Sequence, residues 1–392
     1  MHKKRKIKHR VRNLLIIVLI VVIGLFIYDT NFGTKATNNK KIKKMVKETE
    51  IDNTIFKEYQ KEAAELVSNM TLGEKIGQLF LVRYSKNDVD YLSNFIPGGY
   101  ILFARDFENN NKETMTKEIA YAQSKNKYPL IIGVDEEGGY VTRVSKFKAY
   151  RDERFLSPKY YYEKGGWSLL EETEKEKATL LKELGINLNL APVADVSENE
   201  DDFIYERAFG KNADETSEYV KNMVTYANNN KINSCLKHFP GYGNNVDTHT
   251  GIAIDNRDYS SFEENDYKPF KAGIEAKVPV ILVSHNIVNC MDDKLPASLS
   301  ENVIKELREK LGFTGIIITD DLAMDAVSSY VSNGEAATMA INAGNDMIIT
   351  SDFVPMYKEI VNSVKEGRIK EETINKAVTR IIAWKYYSNL FK

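Results

Sequence analysis

Short apolar runs alternate with longer amphipathic segments from about residue 55 to the end of the chain. Eight of the runs are apolar throughout, which is typical of parallel strands that are buried on both faces of a sheet. These runs are 76–84, 99–104, 129–135, 186–196, 232–239, 278–285, 313–320 and 346–350. The pattern therefore predicts eight strands of a parallel sheet.

Helical patterns separate most of these runs. The clearest are 171–184, 215–229, 266–276, 300–311 and 354–365. Eight βα units in about 315 residues predict an α/β fold of the (β/α)8 TIM-barrel type, forming a single domain over 54–392. An open doubly wound sheet is the alternative.

The N-terminus has a different pattern. Seven cations within residues 1–13 precede an unbroken apolar run of fifteen residues, 14–28. As a helix this run covers about 22 Å, somewhat less than the ~30 Å hydrocarbon core of a bilayer. It predicts a transmembrane signal-anchor with a cytoplasmic leader, and a cleaved signal peptide with a secreted product is the alternative. The polar segment 29–53 is then a tether with little structure, and the barrel domain is extracytoplasmic.

Charge and cysteine content exclude several classes of protein. The formal net charge is −2, but without the seven leader cations the chain has 47 cations against 56 anions. An acidic body argues against nucleic acid as a partner. Cys235 and Cys290 form neither a disulfide framework nor a zinc pattern. We expect both to be buried free thiols, with a single bridge between them as the alternative.

Ionisable residues gather at the ends of the predicted strands. Because the carboxyl ends of barrel strands meet at one face, such residues converge on one pocket. For any one of them alone, a solvated charge at a strand boundary is the simpler interpretation. The residues are Arg105, Asp135, Asp195, Lys237, His238, His285, Asp320 and Asp321.

The histidines indicate acid–base chemistry. His2 and His9 lie in the leader, whereas His238, His249 and His285 lie at or just after predicted strand ends. Asp247 precedes His249 by two residues in a loop rich in Gly and Asn. A carboxylate held against one imidazole nitrogen raises the basicity of the other, which makes a general acid/base. The alternative is that Asp247 caps a turn.

Asp320 and Asp321 end an apolar strand, where a carboxylate is either a nucleophile or a hydrogen-bonding group for substrate. The strand is uniformly apolar, so its pattern does not choose between the two. No His-x-His ends an early strand and no His-Glu-x-x-His occurs, so we expect no metal. The glycine-rich segment 133–139 lacks a following Gly-Lys-Ser/Thr and is not a phosphate loop.

Ordered motifs along the body resemble glycoside hydrolase family 3, and within it the single-domain β-N-acetylhexosaminidases that act on peptidoglycan fragments. The likeness extends from residue 70 to the C-terminus. The motifs are MTLGEKIGQ at 70–78, GGYILF at 98–103, the segment 135–143, APVADV at 191–196, ERAF at 206–209, KHFPG at 237–241, PASLS at 296–300 and TDDLAM at 319–324.

The resemblance implies an exo-acting, retaining β-N-acetylglucosaminidase that removes terminal N-acetylglucosamine from cell-wall glycans without a cofactor. Asp320 matches the nucleophile, and His249, oriented by Asp247, matches the acid/base. A retaining glycosidase needs both groups. Because the chain ends soon after the eighth unit, we expect the acid/base to come from the barrel itself. The residues that match sugar-binding positions are Asp135, Arg143, Arg207, Lys237, His238 and His285.

The sequence departs from the usual pattern of this subgroup in several places. Tyr242 stands where a second histidine is usual, Thr248 replaces a serine, and Tyr140 replaces a common arginine. The stretch 243–247 is one residue shorter than usual. The alternatives on the same scaffold are a β-glycoside phosphorylase, a β-glucosidase, and an inactive surface glycan-binding module.

Overall fold

A computed structural model describes residues 42–47, 54–245 and 253–391. The chain divides into two units between Glu50 and Ile51. In the first unit, residues 42–47 form a short helix, and the rest of the predicted tether lies outside the described residues. Ile42, Met45 and Val46 recur at helical spacing, which gives the segment one apolar side.

The predicted anchor, 14–28, lies outside the described residues. Within the part that the structure describes, no helix is both long and apolar enough to cross a bilayer.

The second unit contains a closed barrel of eight parallel strands, which confirms the predicted (β/α)8 architecture over the open sheet. Two further short strands, Ile254–Asp255 and Ile287–Val288, pair with each other outside the barrel. The strands are β1 Phe80–Arg83, β2 Gly99–Leu102, β3 Ile131–Val134, β4 Leu188–Asn189, β5 Asn233–Phe239, β6 Ile254–Asp255, β7 Val280–Val283, β8 Ile287–Val288, β9 Ile316–Asp321 and β10 Met347–Thr350. The order around the barrel is β1-β10-β9-β7-β5-β4-β3-β2.

Helices connect the strands, and those predicted from the sequence are all present. The π-helical turns Phe262–Asp266 and Glu306–Lys310 extend two of them. The α-helices are α1 Gln60–Ser68, α2 Leu72–Gln78, α3 Val89–Leu92, α4 Ala104–Phe107, α5 Lys112–Lys125, α6 Pro158–Leu184, α7 Ala213–Asn229, α8 Tyr259–Ser261, α9 Tyr267–Glu275, α10 Glu301–Lys305, α11 Asp325–Ser328, α12 Asn333–Ala343, α13 Phe353–Lys365 and α14 Glu371–Tyr387.

Most residues of the barrel strands are apolar because both faces of these strands are buried. β7 and β9 pair in register from Val280–Ile316 to Val283–Thr319, and all of these residues are buried. Each fully buried aliphatic side chain contributes about 1.5–3 kcal/mol to folding. At Gly99 a Cβ atom would lie 2.2 Å from the carbonyl oxygen of Ile131, so only glycine allows this close approach of β2 and β3.

Three sequence predictions need correction. The run 76–84 begins too early, because its first residues end α2, whose N-terminus is fixed by a capping box between Thr71 and Glu74. The run 186–196 contains only the two-residue strand β4. Cys290 is exposed, although Cys235 is buried as expected and both are free thiols. An apolar neighbourhood in sequence does not determine burial at the end of a short edge strand such as β8.

Candidate active site

A cavity of about 430 Å3 opens at the carboxyl ends of the barrel strands. Six of the residues predicted for the site line it, and they come from strands or loops far apart in sequence. They are Asp135, Arg143, Arg207, Lys237, His238 and Asp320. The barrel therefore brings together the residues that the strand ends and motifs indicated.

A network of buried ion pairs forms one wall of this cavity. The Nζ atom of Lys237 lies 2.7 Å from Asp135 Oδ1 and 2.6 Å from Glu137 Oε1. Arg207 donates two hydrogen bonds to Glu137, from Nη2 at 2.8 Å and from Nε at 3.0 Å. Burial alone would raise the pKa of Glu137, but Arg207 and Lys237 hold that pKa well below its usual range. Glu137 is therefore ionised and bridges two cations.

His238 extends this network. Arg207 Nη2 lies 3.1 Å from His238 Nε2, and a guanidinium can only donate. The Nδ1 atom therefore carries the ring proton and donates to Asp195 Oδ2 at 2.8 Å. Burial lowers the pKa of His238 despite the opposing effect of Asp195. Asp195 also accepts from the backbone amides of His238 and Tyr242, so a neutral imidazole is held in one orientation.

A second buried carboxylate, Glu136, shapes the loop after β3. Its side chain accepts from the backbone amides of Arg143 at 2.8 Å, Val144 at 2.7 Å and Ser145 at 3.2 Å. These bonds bring the chain back beside the strand end and place the Arg143 guanidinium 3.9 Å from Asp135 Oδ2. Glu136 thus positions a side chain of the cavity wall without lining the cavity.

Asp320 and Asp321 both line the cavity at the end of β9. The carboxylate of Asp321 accepts from the backbone amides of Ala323 at 2.9 Å and Ser351 at 3.2 Å. Burial raises the pKa of Asp321. Asp321 therefore holds the loops after β9 and β10 together. These two backbone amides bond to Asp321 and not to Asp320.

His285 lies behind this strand end. It is fully buried, its Nδ1 lies 2.7 Å from Ser298 Oγ, and its Nε2 lies 3.1 Å from the carbonyl oxygen of Asp321. It supports the wall at Asp321 and is not part of the lining.

Asp247 and His249 lie outside the described residues, which stop at 245 and resume at 253. Arg257 links the chain on the two sides of this interval. It donates to the carbonyl oxygen of Gly241 at 3.3 Å and to Asp255 at 2.8 Å, and its Nη1 lies 2.9 Å from Asp266 Oδ2.

Sequence reasoning missed several members of the site. Glu137 lies in the glycine-rich segment, whose pattern indicates no role for it, and the position of Asp195 indicates only a strand end. Arg83 and Phe103 also line the cavity, with the guanidinium of Arg83 4.8 Å from the centre of the Phe103 ring. The position of Arg83 at the end of the first apolar run was the available signal.

Comparison with known proteins supplies the family. The model for the glycosyl hydrolase family 3 N terminal domain matches residues 71–384. The Beta-hexosaminidase of Methylobacillus flagellatus is 29% identical over 309 residues, which cover 76% of this chain and 85% of that protein. The Beta-hexosaminidase A of Pseudoalteromonas piscicida is 28% identical, and the alignment covers 74% of this chain and 54% of that protein.

Solved structures agree with this assignment. A glycoside hydrolase family 3 beta-N-acetylglucosaminidase from Paenibacillus sp. str. FPU-7 superposes with a TM-score of 0.77 at 28% identity, covering 82% of this chain and 63% of that one. This chain thus spans less than two thirds of the Paenibacillus and Pseudoalteromonas proteins. M tuberculosis LpqI shares the fold, with a TM-score of 0.73 at 23% identity over 81% of this chain and 95% of that one. With the family model matching most of the barrel domain, this chain belongs to glycosyl hydrolase family 3 and is a glycoside hydrolase.

Proposed function

We propose that this protein is an exo-acting, retaining β-N-acetylglucosaminidase with Asp320 as its nucleophile. The observation that carries the proposal is that Asp320 lines the same cavity as the buried network around Lys237 and Arg207. The names of the relatives support N-acetylhexosamine as the sugar. A nucleophile facing a sugar-binding wall is the arrangement that double displacement requires.

The network suits a terminal sugar. Asp135, Arg143, Arg207 and Lys237 offer charged donors and acceptors, whose hydrogen bonds to hydroxyl groups are stronger than neutral ones. His238 adds a neutral imidazole to the same wall. Because the ion pairs hold these side chains before substrate arrives, little conformational entropy is lost on binding.

The reaction has two displacements. Asp320 attacks the anomeric carbon, the glycosidic bond breaks, and His249, oriented by Asp247, donates a proton to the leaving oxygen. His249 then takes a proton from water, whose oxygen attacks the anomeric carbon and releases Asp320. The two inversions retain the configuration.

The decisive test uses the full chain with 4-nitrophenyl β-N-acetylglucosaminide and the matching β-glucoside. We expect turnover of the first, and a loss of about 10³-fold or more in Asp320→Asn, since no glycosyl-enzyme can form. His249→Ala should lose about 10²–10⁴-fold.

Asp321→Asn is the matched control, because an amide oxygen at this position still accepts from the backbone amides of Ala323 and Ser351. We expect it to lose far less activity than Asp320→Asn. Near-native turnover by Asp320→Asn would show that the nucleophile is wrongly assigned. Preference for the glucoside would show that the sugar is wrong.

We further propose that the natural substrates are peptidoglycan-derived glycans and that residues 14–28 anchor the enzyme in the cell membrane with its barrel outside the cytoplasm. The basic leader and the apolar run support this location. Cell fractionation with an alkaline wash tests it. Release of the enzyme by alkali, or an N-terminal sequence beginning after residue 28, would contradict an uncleaved anchor.

A further inference from the structure

Three exposed aromatic side chains lie on segments that pack together beside the cavity that Asp320 lines. Among the described residues, Tyr140 is the most exposed large hydrophobic side chain, at 71%, and Tyr160 and Phe203 are 42% and 38% exposed. We call these three side chains the aromatic ridge. Because rings that stay in water add little to folding, a group of them on one surface indicates a binding site.

Two of the segments meet at the N-terminus of α6. Tyr140 follows Gly139, where a Cβ atom would lie 3.1 Å from the Cβ atom of Ser157, the N-cap residue of α6. Tyr160 lies in the first turn of the same helix, and its backbone amide donates to Ser157 Oγ at 3.3 Å. Tyr140 and Tyr160 are therefore on neighbouring parts of one surface.

The loop that carries Phe203 joins the same helix. Lys159 donates a hydrogen bond to the hydroxyl oxygen of Tyr205 at 2.5 Å, and its Nζ atom lies 4.4 Å from the centre of that ring. Phe203, two residues before Tyr205, lines the cavity. The aromatic ridge therefore begins at the cavity wall and continues along the surface to Tyr160, which is not part of the lining.

The turn that carries Tyr140 is rigid. The backbone amide of Gly138 donates to the carbonyl oxygen of Val141 at 3.1 Å, which closes the turn. The amide of Gly139 donates to the carbonyl oxygen of Phe155 at 2.9 Å, which fastens the turn to the chain before α6. Both glycines have a positive φ, which makes this tight path available. A ring on a fixed backbone loses little conformational entropy when a ligand binds.

A saccharide suits this surface. One face of a pyranose ring is rich in C–H groups that pack on a flat aromatic ring, and its hydroxyl groups can bond to the hydroxyl group of tyrosine. From the continuity of the aromatic ridge with the cavity, we infer that the ridge binds the part of a glycan that extends beyond the terminal sugar. This inference rests on the proposed function, because it takes the cavity to hold that terminal sugar. It adds the substrate class, which is a glycan of several sugars.

The test measures calorimetric binding of two β-1,4-linked N-acetylglucosamine oligomers, the disaccharide and the hexasaccharide. The protein is the full chain with Asp320→Asn, which removes the proposed nucleophile and keeps the oligomers intact. We expect the hexasaccharide to bind about tenfold more tightly than the disaccharide, because only the longer chain reaches the rings of the aromatic ridge.

Further substitutions in this parent protein assign the difference to the aromatic ridge. Tyr140→Ala should weaken binding of the hexasaccharide about tenfold and leave that of the disaccharide unchanged, whereas Tyr140→Phe keeps the ring and should keep most of the affinity. Tyr160→Ala should give a smaller loss of the same kind, because this ring is less exposed. Tyr121→Ala is the matched control, since Tyr121 is 43% exposed but lies on α5. It should leave both affinities at the parental values.

Equal affinity of the parent protein for the two oligomers, or no binding of the hexasaccharide, would overturn the inference. It would also be overturned if Tyr140→Ala bound the hexasaccharide as tightly as the parent does, or if Tyr121→Ala lost as much affinity as Tyr140→Ala. Failure of the proposed function gives a different result, namely no hydrolysis of 4-nitrophenyl β-N-acetylglucosaminide by the wild type, and the binding measurements do not depend on turnover.

Discussion

Charged side chains form ion pairs with one another on one side of the barrel mouth, whereas on the other side the described arginines form none. On the side of β3 and β5, which we call the paired side, Glu137 and Lys237 are buried, Arg207 is partly buried, and short ion pairs join the three. On the side of β1 and β2, the open side, Arg83 and Arg105 have no carboxylate partner within the described residues. Charged side chains on the paired side are therefore compensated within the protein, whereas the arginines on the open side have no described ion-pair partner.

The difference follows from the cost of burial. A buried charge must be compensated within the protein, so the paired side is part of the folded core as well as of the cavity. A partly exposed arginine is solvated until a ligand replaces its water. Changes on the paired side should therefore reduce stability, whereas changes on the open side should alter binding and leave stability nearly intact.

The largest expected effect is on the paired side. Glu137→Ala leaves the buried Lys237 and the partly buried Arg207 without their shared carboxylate, and we expect a loss of about 3–5 kcal/mol in the free energy of unfolding. Urea denaturation measures it. The control is Glu113→Gln, which breaks an exposed pair with Lys117 and should cost no more than about 0.5 kcal/mol. Equal losses would refute the distinction.

A smaller effect is expected at the edge of the paired side. Asp195→Asn removes the charge that accepts from His238 and from two backbone amides, and should destabilise the protein by about 1–3 kcal/mol. Because the imidazole then loses its fixed orientation, KM for the 4-nitrophenyl substrate should rise more than kcat falls. A pure loss of kcat would argue that His238 takes part in the chemistry.

The pH dependence of the free energy of unfolding tests whether the pKa of His238 is lowered in the folded protein. The pKa of His238 is lowered in the folded protein, whereas in the unfolded chain it is about 6.5. The unfolded state therefore binds more protons below pH 6.5, and this contribution to stability is present above pH 6.5 and is lost as the pH falls below it.

Urea denaturation of the wild type and His238→Gln between pH 5 and 7.5 checks this contribution. As the pH falls from 7.5 to 5, the free energy of unfolding of the wild type should decrease relative to that of His238→Gln. Burial raises the pKa of Asp266 to about 6, which has the opposite sign, but that contribution is common to both proteins. A difference that stays constant with pH would show that the pKa of His238 is the same in the folded and unfolded states.

The smallest effect is expected on the open side. Arg83→Met removes a cation whose described contact is the face of Phe103, so the free energy of unfolding should change by no more than about 1 kcal/mol. Thermal denaturation measures it beside Glu137→Ala. A loss as large as that of Glu137→Ala would mean that Arg83 also belongs to a stabilising network.

Much of the fold was predictable because its signal is local. Strands that are buried on both faces are rich in apolar residues, and the sequence predicted all eight, although only two residues of the run 186–196 form a strand. The short pair β6 and β8 was missed, since two-residue strands have no period to detect. Cys290 shows the same limit, because exposure at a loop depends on what packs over it.

The sequence predicted many residues of the candidate site but few of the contacts between them. The strand ends predicted Asp135, Lys237 and His238, but they did not predict Glu137, the carboxylate that bridges Lys237 and Arg207. The side chain of His285 was expected at the pocket and lies behind Asp321 instead. Asp247 and His249 lie outside the described residues, so their role remains a prediction.

The sequence by itself determined the eight buried strands, the polar residues at their ends and the family motifs. Each of these features depends on only a few consecutive residues. Only the tertiary structure decided which charges meet. Glu137 and Arg207 are 70 residues apart and Asp135 and Lys237 are 102 apart, and closure of the barrel brings each pair within hydrogen-bonding distance. Closure also brings Arg83 and Arg105 to one cavity, where neither forms an ion pair among the described residues, because charge compensation depends on which strands become neighbours.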